Sequence, residues 1–193
     1  MAVALTQEGA FGFSLQSERG AFVAPSVWVP LVNDDDPEGV YVRWRRNFVV
    51  LDMGDSNDFQ SRYYSAGEWL EGRVVVPLIP GSMTSLLSWI QDRDQDNQGK
   101  WASLVVDHVN AVQKATDVKV RRARVVLKRG QPAYVVLWLV GLKVENGTPS
   151  AVNIPTATPY VFDDARFEIA TAGRALERDS AIEELTIELD NAI

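Results

Sequence analysis

The chain has no cysteine and a single histidine, His108, in 193 residues. The first absence excludes disulfides, thiolate nucleophiles and Cys-ligated zinc or iron–sulfur sites, and the second removes most His-based metal and triad chemistry. Net basic charge is also missing: 19 basic residues face 26 acidic ones, a formal charge of −7, which disfavours clamping of nucleic acid by net charge alone. No apolar run approaches the ~20 residues that span a bilayer, so no membrane partner is expected. The opening Met1-Ala2-Val3-Ala4-Leu5-Thr6-Gln7-Glu8 lacks both a basic n-region and an apolar h-region, and the expectation is folding in a reducing cytosol. There is no Walker loop, no strand-linked Gly-x-Gly-x-x-Gly and no Gly-x-Ser-x-Gly elbow. The expected chain is not an enzyme and takes no cofactor.

What the sequence has is valine, 26 residues of it, with six Trp, nine Pro and 13 Gly. β-branched and aromatic residues fit a pleated, half-buried surface. Together with the length, they predict a single domain over 1–193, mostly β. Phe22–Leu31 reads as a strand, with Pro25 and Pro30 confining it to an edge or an irregular course. Asn33–Gly39 is a turn cluster. Val40, Val42 and Trp44 then alternate with Tyr41, Arg43 and Arg45, and the pattern resumes over Phe48–Leu51 after a phase change near Arg46-Asn47, the signature of a bulge. From Asp52 to Ser65 the periodicity lapses into a long loop with isolated aromatics. Strand pattern returns over Trp69–Ile79.

Met83, Leu86, Leu87 and Ile90 fall at helical spacing and predict one amphipathic helix over about 82–91, with Ser82 as N-cap. Further strands are expected at Trp101–Val109, Val118–Lys128 and Ala133–Val144, the last two joined as a hairpin through Arg129-Gly130-Gln131-Pro132. Val135–Val140 is apolar at both parities, as in a strand covered on both faces at the centre of its sheet. Asn146–Pro159 reads as a second extended loop. Strand pattern restarts at Tyr160–Phe162 and Phe167–Ile169, and Leu185, Ile187 and Leu189 make a one-sided terminal strand.

Few clusters invite chemistry. Asp92, Asp94 and Asp96 mimic the start of a calcium loop, but Asn97 replaces its glycine and Ser103 its bidentate glutamate, so a solvated helix end is expected and no metal. Asn146-Gly147-Thr148 is a glycosylation sequon followed by Pro149, with no route to the secretory pathway. His108 lies in a strand pattern with no partner motif, as a structural histidine does. Two basic clusters, Arg43-Arg45-Arg46 and Arg121-Arg122-Arg124 with Lys128-Arg129, stand against the acidic balance. They are read as subunit contacts with carboxylates of another copy, ahead of solvated faces or phosphate contacts; Arg43, Arg45, Arg121 and Arg124 are the named interface candidates.

The order of features carries a resemblance. A long loop is followed by Ala66-Gly67-Glu68-Trp69-Leu70-Glu71-Gly72, a valine strand, Pro77, Pro80-Gly81 and the Leu86-Leu87-Ser88-Trp89 helix. With the opening Gln7-Glu8-Gly9-Ala10-Phe11-Gly12 and the closing Ile182–Asn191, that succession resembles the tail tube proteins of long-tailed bacteriophages, related in fold to the tube protein of type VI secretion. The resemblance implies an antiparallel β-sandwich or partial barrel with one flanking α-helix and long inter-subunit loops. It implies assembly into stacked hexameric rings around a channel for DNA delivery, and a place in the virion tail after synthesis and assembly in the host cytoplasm. The implied partners are other copies of the chain, a tape measure protein inside the tube, tail terminator and distal tail or baseplate proteins, and genomic DNA in passage without tight binding. With four strands per subunit, 24 strands at ~4.8 Å and ~40° tilt give a wall roughly 45–50 Å across.

On that reading the segment 1–20 and the loops 52–65 and 146–159 are assembly arms. Phe59, Tyr63 and Tyr64 become anchors between copies, since aromatics supply large buried area at low entropy cost. Strand parity places Leu70, Val74 and Val76 in the core, with Glu71, Arg73 and Val75 on the opposite face. Glu71, Glu184, Glu188 and Asp190 are accordingly expected to line the channel as an acidic wall that repels phosphate. A single-ring connector, such as a tail terminator or baseplate component, is the alternative. A single-strand-binding barrel using Tyr41, Trp44 and Arg43 is the third reading.

Overall fold

The computed structural model describes residues 9–32, 39–51, 62–94, 98–108, 111–147, 152–165, 168–169, 177–178 and 183–191. Among the described residues, ten strands, one α-helix and one 3₁₀ turn occur in the order β1 (Gly9–Leu15), β2 (Val27–Pro30), β3 (Tyr41–Leu51), β4 (Arg62–Pro77), α1 (Met83–Gln91), β5 (Ala102–His108), β6 (Ala111–Lys128), β7 (Tyr134–Asn146), the 3₁₀ turn (Phe162–Asp164), β8 (Glu168–Ile169), β9 (Glu177–Arg178) and β10 (Glu184–Asp190). Eight of the strands form one antiparallel sheet in the order β2-β1-β5-β6-β7-β4-β3, with β10 added beside β6; β8 and β9 pair separately. The sheet curls until the Val32 N–H donates to the Val75 carbonyl at 3.0 Å, bringing the end of β2 onto β4. The protein is thus mostly β, a partial barrel with a flanking helix.

Alternation explains the core. Phe11 and Phe13 of β1, Leu70, Val74 and Val76 of β4, Leu104 and Val106 of β5, and Val135, Leu137 and Leu139 of β7 all point into the barrel, one face per strand as the period of two requires. The helix fits against this interior: Leu86, Trp89 and Ile90 are buried, and the Trp89 ring stacks on Phe13 at 5.1 Å and on Phe11 at 6.4 Å. A smaller cluster of Ala10, Trp28, Val105 and Val112 sits on the other side of the sheet and takes Ile154 from the 146–159 segment.

Strand β6 is long because it serves two assemblies. Its first half pairs with β5 and its second half with β10, while β7 follows it along most of its length. Asp117, at φ 57°, marks the change of course. That conformation is held by its own contacts: the Asp117 N–H donates to Gln16 Oε1 at 3.1 Å, and its carboxylate accepts Gly20 N–H at 2.8 Å and Gln16 Nε2 at 3.2 Å. A second irregularity between Val120 and Arg122 inserts Arg121 as an extra residue.

Several sequence expectations meet the structure directly. The phase change near Arg46-Asn47 is a register shift between Asn47 and Phe48. The turn at Gly130, φ 78°, joins β6 to β7 as expected, because only glycine takes that conformation freely. In β7 the alternate face carries buried Val136 and half-buried Trp138 and Val140, and the strand lies between β6 and β4.

Other expectations are corrected. Within the expected N-terminal arm, Gly9–Leu15 is a core strand, with Phe11 and Phe13 at most 1% exposed; residues 1–8 lie outside the described residues. The strand expected over Phe22–Leu31 contracts to Val27–Pro30, since Pro25 cannot donate to a ladder. The loop expected over 52–65 is shorter, because Arg62–Ser65 already pairs with Phe48–Leu51 in the β3–β4 hairpin. Residues 111–117, given no element from the sequence, extend β6. Ser82 occupies the cap position but does not cap: its Oγ donates backwards to the Ile79 carbonyl at 3.0 Å. Tyr160–Phe162 is not a strand; Val161 bridges to Pro132 and a 3₁₀ turn follows. Ile187 of the terminal strand remains 44% exposed.

Candidate assembly surface

The face of the sheet that points away from the barrel runs continuously across five strands, β3-β4-β7-β6-β10. Ladder register fixes its composition. One row of cross-strand neighbours reads Tyr41–Arg73–Trp138–Arg122–Asp190, and the row one pair along β4 towards its end reads Val75–Val136–Arg124–Glu188. On the other side of the first row stand Arg43 and Glu71, directly opposite each other.

Two three-residue clamps dominate this face. Glu71 accepts Arg45 Nε at 2.6 Å and lies 3.6 Å from Arg43 Nε. Glu188 accepts Arg124 Nε at 2.7 Å and also Arg122. All six side chains are between a third and a half exposed. The hydrogen bond from Arg45 holds the Glu71 carboxyl below its ordinary range, and that from Arg122 does the same for Glu188. Between the clamps Trp138 lies beneath a ring of guanidiniums, with Arg122 at 5.1 Å, Arg124 at 5.4 Å and Arg73 at 5.8 Å from its ring. Arg73 is 1% exposed and donates to the Gly39 carbonyl at 2.7 Å.

This arrangement changes the sequence expectation. The arginines named for contact with a neighbouring copy and the carboxylates named for an acidic wall partner one another inside one chain. Arg43 and Arg45 meet Glu71, and Arg124 meets Glu188, because strand register sets them opposite or diagonal at contact distance. Glu184 lies opposite Lys128 and Asp190 opposite Arg122, both exposed. Arg73 and Val75 share the face with Glu71 as parity requires, yet both are buried. Arg121 stands exposed at the β6 bulge, where its carbonyl accepts the Asn191 N–H at 2.8 Å. Tyr63 and Tyr64 lie in β4 opposite Val50 and Val49; Phe59 lies outside the described residues. Tyr41 stacks under Arg43 at 4.2 Å, whereas Trp44 packs towards the core on the opposite face, so the three residues of the single-strand-binding reading do not form one platform.

Charge elsewhere in the chain is distributed unevenly. Asp34, Asp35, Asp36, Glu38, Asp52, Asp55 and Asp58 stand with no basic residue among them in the connections β2–β3 and β3–β4. They equal in number the chain's net charge of −7.

The opposite side of the β6–β10 wing is apolar. Val125 and Leu127 of β6, Ile187 and Leu189 of β10, and Met83 and Leu87 of α1 line a groove of about 530 Å³ that Tyr160 and Val161 also border. Asn191 ties this region together: its Nδ2 donates to the Ile90 and Val120 carbonyls at 3.1 and 3.0 Å, and its Oδ1 accepts Arg93 at 2.8 Å.

Among the described residues no set of three acidic or histidine side chains is placed to hold a metal. Asp92 of the expected mimic is engaged by Ser88 and by Lys100 at 2.8 Å, and Asp94 by the Gln98 N–H at 2.7 Å. Among the described residues no helix is long and apolar enough to cross a membrane.

Trp138 was the residue that sequence reasoning passed over, while Arg73 was set on this face by parity but not expected beside a tryptophan. Their signal was the alternation in β4 and β7, but it becomes readable only once the two strands are known to be neighbours.

No protein-family model and no curated protein matches the chain. Among solved structures it is similar to a chain in the six-fold symmetrised cryo-EM structure of the anti-feeding prophage baseplate, at 10% identity and a TM-score of 0.49, over 76% of this chain and 96% of that one.

Proposed function

We propose that the chain is a non-enzymatic structural protein that assembles with copies of itself into stacked rings forming a phage-type tail tube, a channel for DNA delivery. The observation that carries this reading is the pair of unpaired strand edges, β3 and β10, that bound the five-strand face. Among the described residues β3 pairs only with β4, and β10 only with β6. Across five antiparallel strands β3 and β10 run in the same direction, so rotation about a ring axis brings β10 of one copy alongside β3 of the next. Exposed edges drive uncontrolled association unless they are covered, and a head-to-tail contact whose rotation closes covers both edges in every copy.

Five strands per subunit widen the expected wall. A six-membered ring of 30 strands at ~4.8 Å spacing and ~40° tilt is roughly 60 Å across between backbones, which admits a DNA duplex. In this assembly the five-strand face forms the channel wall, with the helix and the apolar groove outside. Phe59, in the sequence between β3 and β4, is the residue proposed to anchor one ring on the next. The remaining partners are those of a tail: a tape measure protein in the channel, a terminator at one end and distal tail or baseplate proteins at the other.

Negative-stain microscopy of the purified protein tests the proposal. Tubes are expected. Single rings that never stack would replace it with a one-ring connector, and a persistent monomer at high concentration would overturn it. Deletion of residues 56–61, which stops short of the paired Arg62 and Tyr63, is expected to leave a folded protein by circular dichroism and to abolish tubes.

A further inference from the structure

The carboxylates Glu71 and Glu188 are each held between two arginines on the exposed five-strand face, at 2.6 and 3.6 Å in one clamp and 2.7 Å from Arg124 in the other. Each clamp is a unit of one net positive charge in which the acid occupies the anion position of the guanidinium forks. A guanidinium carries five N–H donors. An arginine bonded to a carboxylate through one edge therefore keeps others pointing to solvent, and all four arginines are more than a third exposed.

We infer that this face makes weak, sequence-independent contacts with the phosphodiester backbone of duplex DNA through Arg43, Arg45, Arg122 and Arg124, and that Glu71 and Glu188 act as built-in competitors that hold the affinity down. The assignment rests on the reading of this face as a channel wall. It replaces repulsion by an acidic surface with a balance: phosphate attracted to each clamp must share the arginines with a carboxylate that never leaves.

Geometry selects a polyanion over a small anion. Three strand spacings and about four residues along the strand separate Glu71 from Glu188, roughly 20 Å over the sheet. One nucleotide cannot bridge that distance, whereas an extended backbone meets both clamps. Trp138 between them, flanked by Arg122 and Arg124, keeps the ground between the clamps free of negative charge. Asp190, on the same face, lowers the total to one net positive charge among these seven side chains.

The test measures binding of a fluorescent 25-base-pair duplex by anisotropy between 20 and 200 mM salt, using the full chain. The wild type is expected to bind weakly, with affinity falling steeply as salt rises. Each carboxylate neutralised adds about one effective phosphate contact, so E71Q/E188Q should steepen the salt slope by about 2 and tighten binding at 20 mM salt at least tenfold. R43Q/R124Q should weaken it. Folded E71Q/E188Q protein that binds duplex no tighter than wild type would overturn the inference, as would a variant that gains affinity for polyglutamate but not for DNA. Tube formation by the same preparations is scored separately by microscopy. Tubes without the affinity change refute the clamps and leave the tube reading intact, and the affinity change without tubes does the reverse.

Discussion

Replacing Trp89 tests how the helix holds the barrel. The side chain is 1% exposed and its ring stacks on both Phe13 and Phe11 at small interplanar angles. Truncation to alanine removes these contacts and leaves a cavity among strands that cannot collapse together, a change that costs about 3–5 kcal/mol for a buried aromatic. For a domain of this size each kcal/mol is worth about 2–4 °C in Tm, so W89A should melt roughly 6–20 °C lower. The same residue carries an internal control. Its Nε1 is buried with no hydrogen-bond partner among the described residues, and a buried unsatisfied donor itself costs about 1–3 kcal/mol. Phenylalanine keeps the stack and removes that donor, so W89F should lie within about 1 kcal/mol of wild type despite its smaller volume. Urea unfolding followed by far-ultraviolet circular dichroism measures both. If W89F proves as destabilising as W89A, the stacked ring is not what secures α1, and the reasoning fails.

Three further outcomes follow from the geometry. A Cβ at Gly12 would lie 2.7 Å from Trp28 Cε3 and 2.8 Å from Pro25 Cβ, so G12A should lose about 1–3 kcal/mol through overpacking, measured by the same urea titration. N191A should cost about 2 kcal/mol by stripping partners from two buried carbonyls, and hydrogen exchange should show faster opening of β10 than of β7. Arg45 depresses the Glu71 pKa in the folded state, so this pair's stabilisation is complete above the ordinary carboxylate range and is lost as pH falls through the lowered value. At its half-exposed site it is worth less than about 1 kcal/mol. The stability difference between wild type and E71Q should therefore be fully present at pH 7 and shrink as pH falls through the acid range; a difference that does not shrink would refute the sign.

What the sequence revealed depended on whether a feature was local. The bulge at Asn47 was legible because a slip of one residue in parity is written along a single strand, and the helix because Met83, Leu86, Leu87 and Ile90 repeat at its period. Strand β1 escaped notice, although Phe11 and Phe13 share a parity, because Gly9 and Gly12 lower strand propensity. Both lie where a neighbouring strand of the same sheet comes close: a Cβ at Gly9 would meet the Asp107 carbonyl at 2.8 Å, and one at Gly12 the Trp28 ring. Gln113, Lys114 and Thr116 hid the first half of β6 in the same way. The clamps were legible only as ingredients. Parity set Glu71 on a face and composition flagged the arginines, but the pairing of β10 with β6 across some sixty residues, which sets Glu188 opposite Arg124, is a property of the fold and of no local pattern.

The bond between Val32 and Val75 gives the barrel a seam, and a seam has a place in time as well as in space. Every other junction of the barrel is a ladder of several paired residues; among the described residues this one is a single bond joining positions 43 apart in sequence. Loop closure must be met before such a contact returns anything, so the strand pairs β6–β7 and β4–β7 can form while the cylinder is still an open trough. The helix and Trp89 can then enter from the side, with no need to thread an already closed end. The seam is correspondingly where the native protein should breathe first. The amide of Val32 ought to exchange with solvent well before those of β7, and a cross-link between β2 and β4 should slow unfolding with little effect on folding, since it fastens an interaction made late.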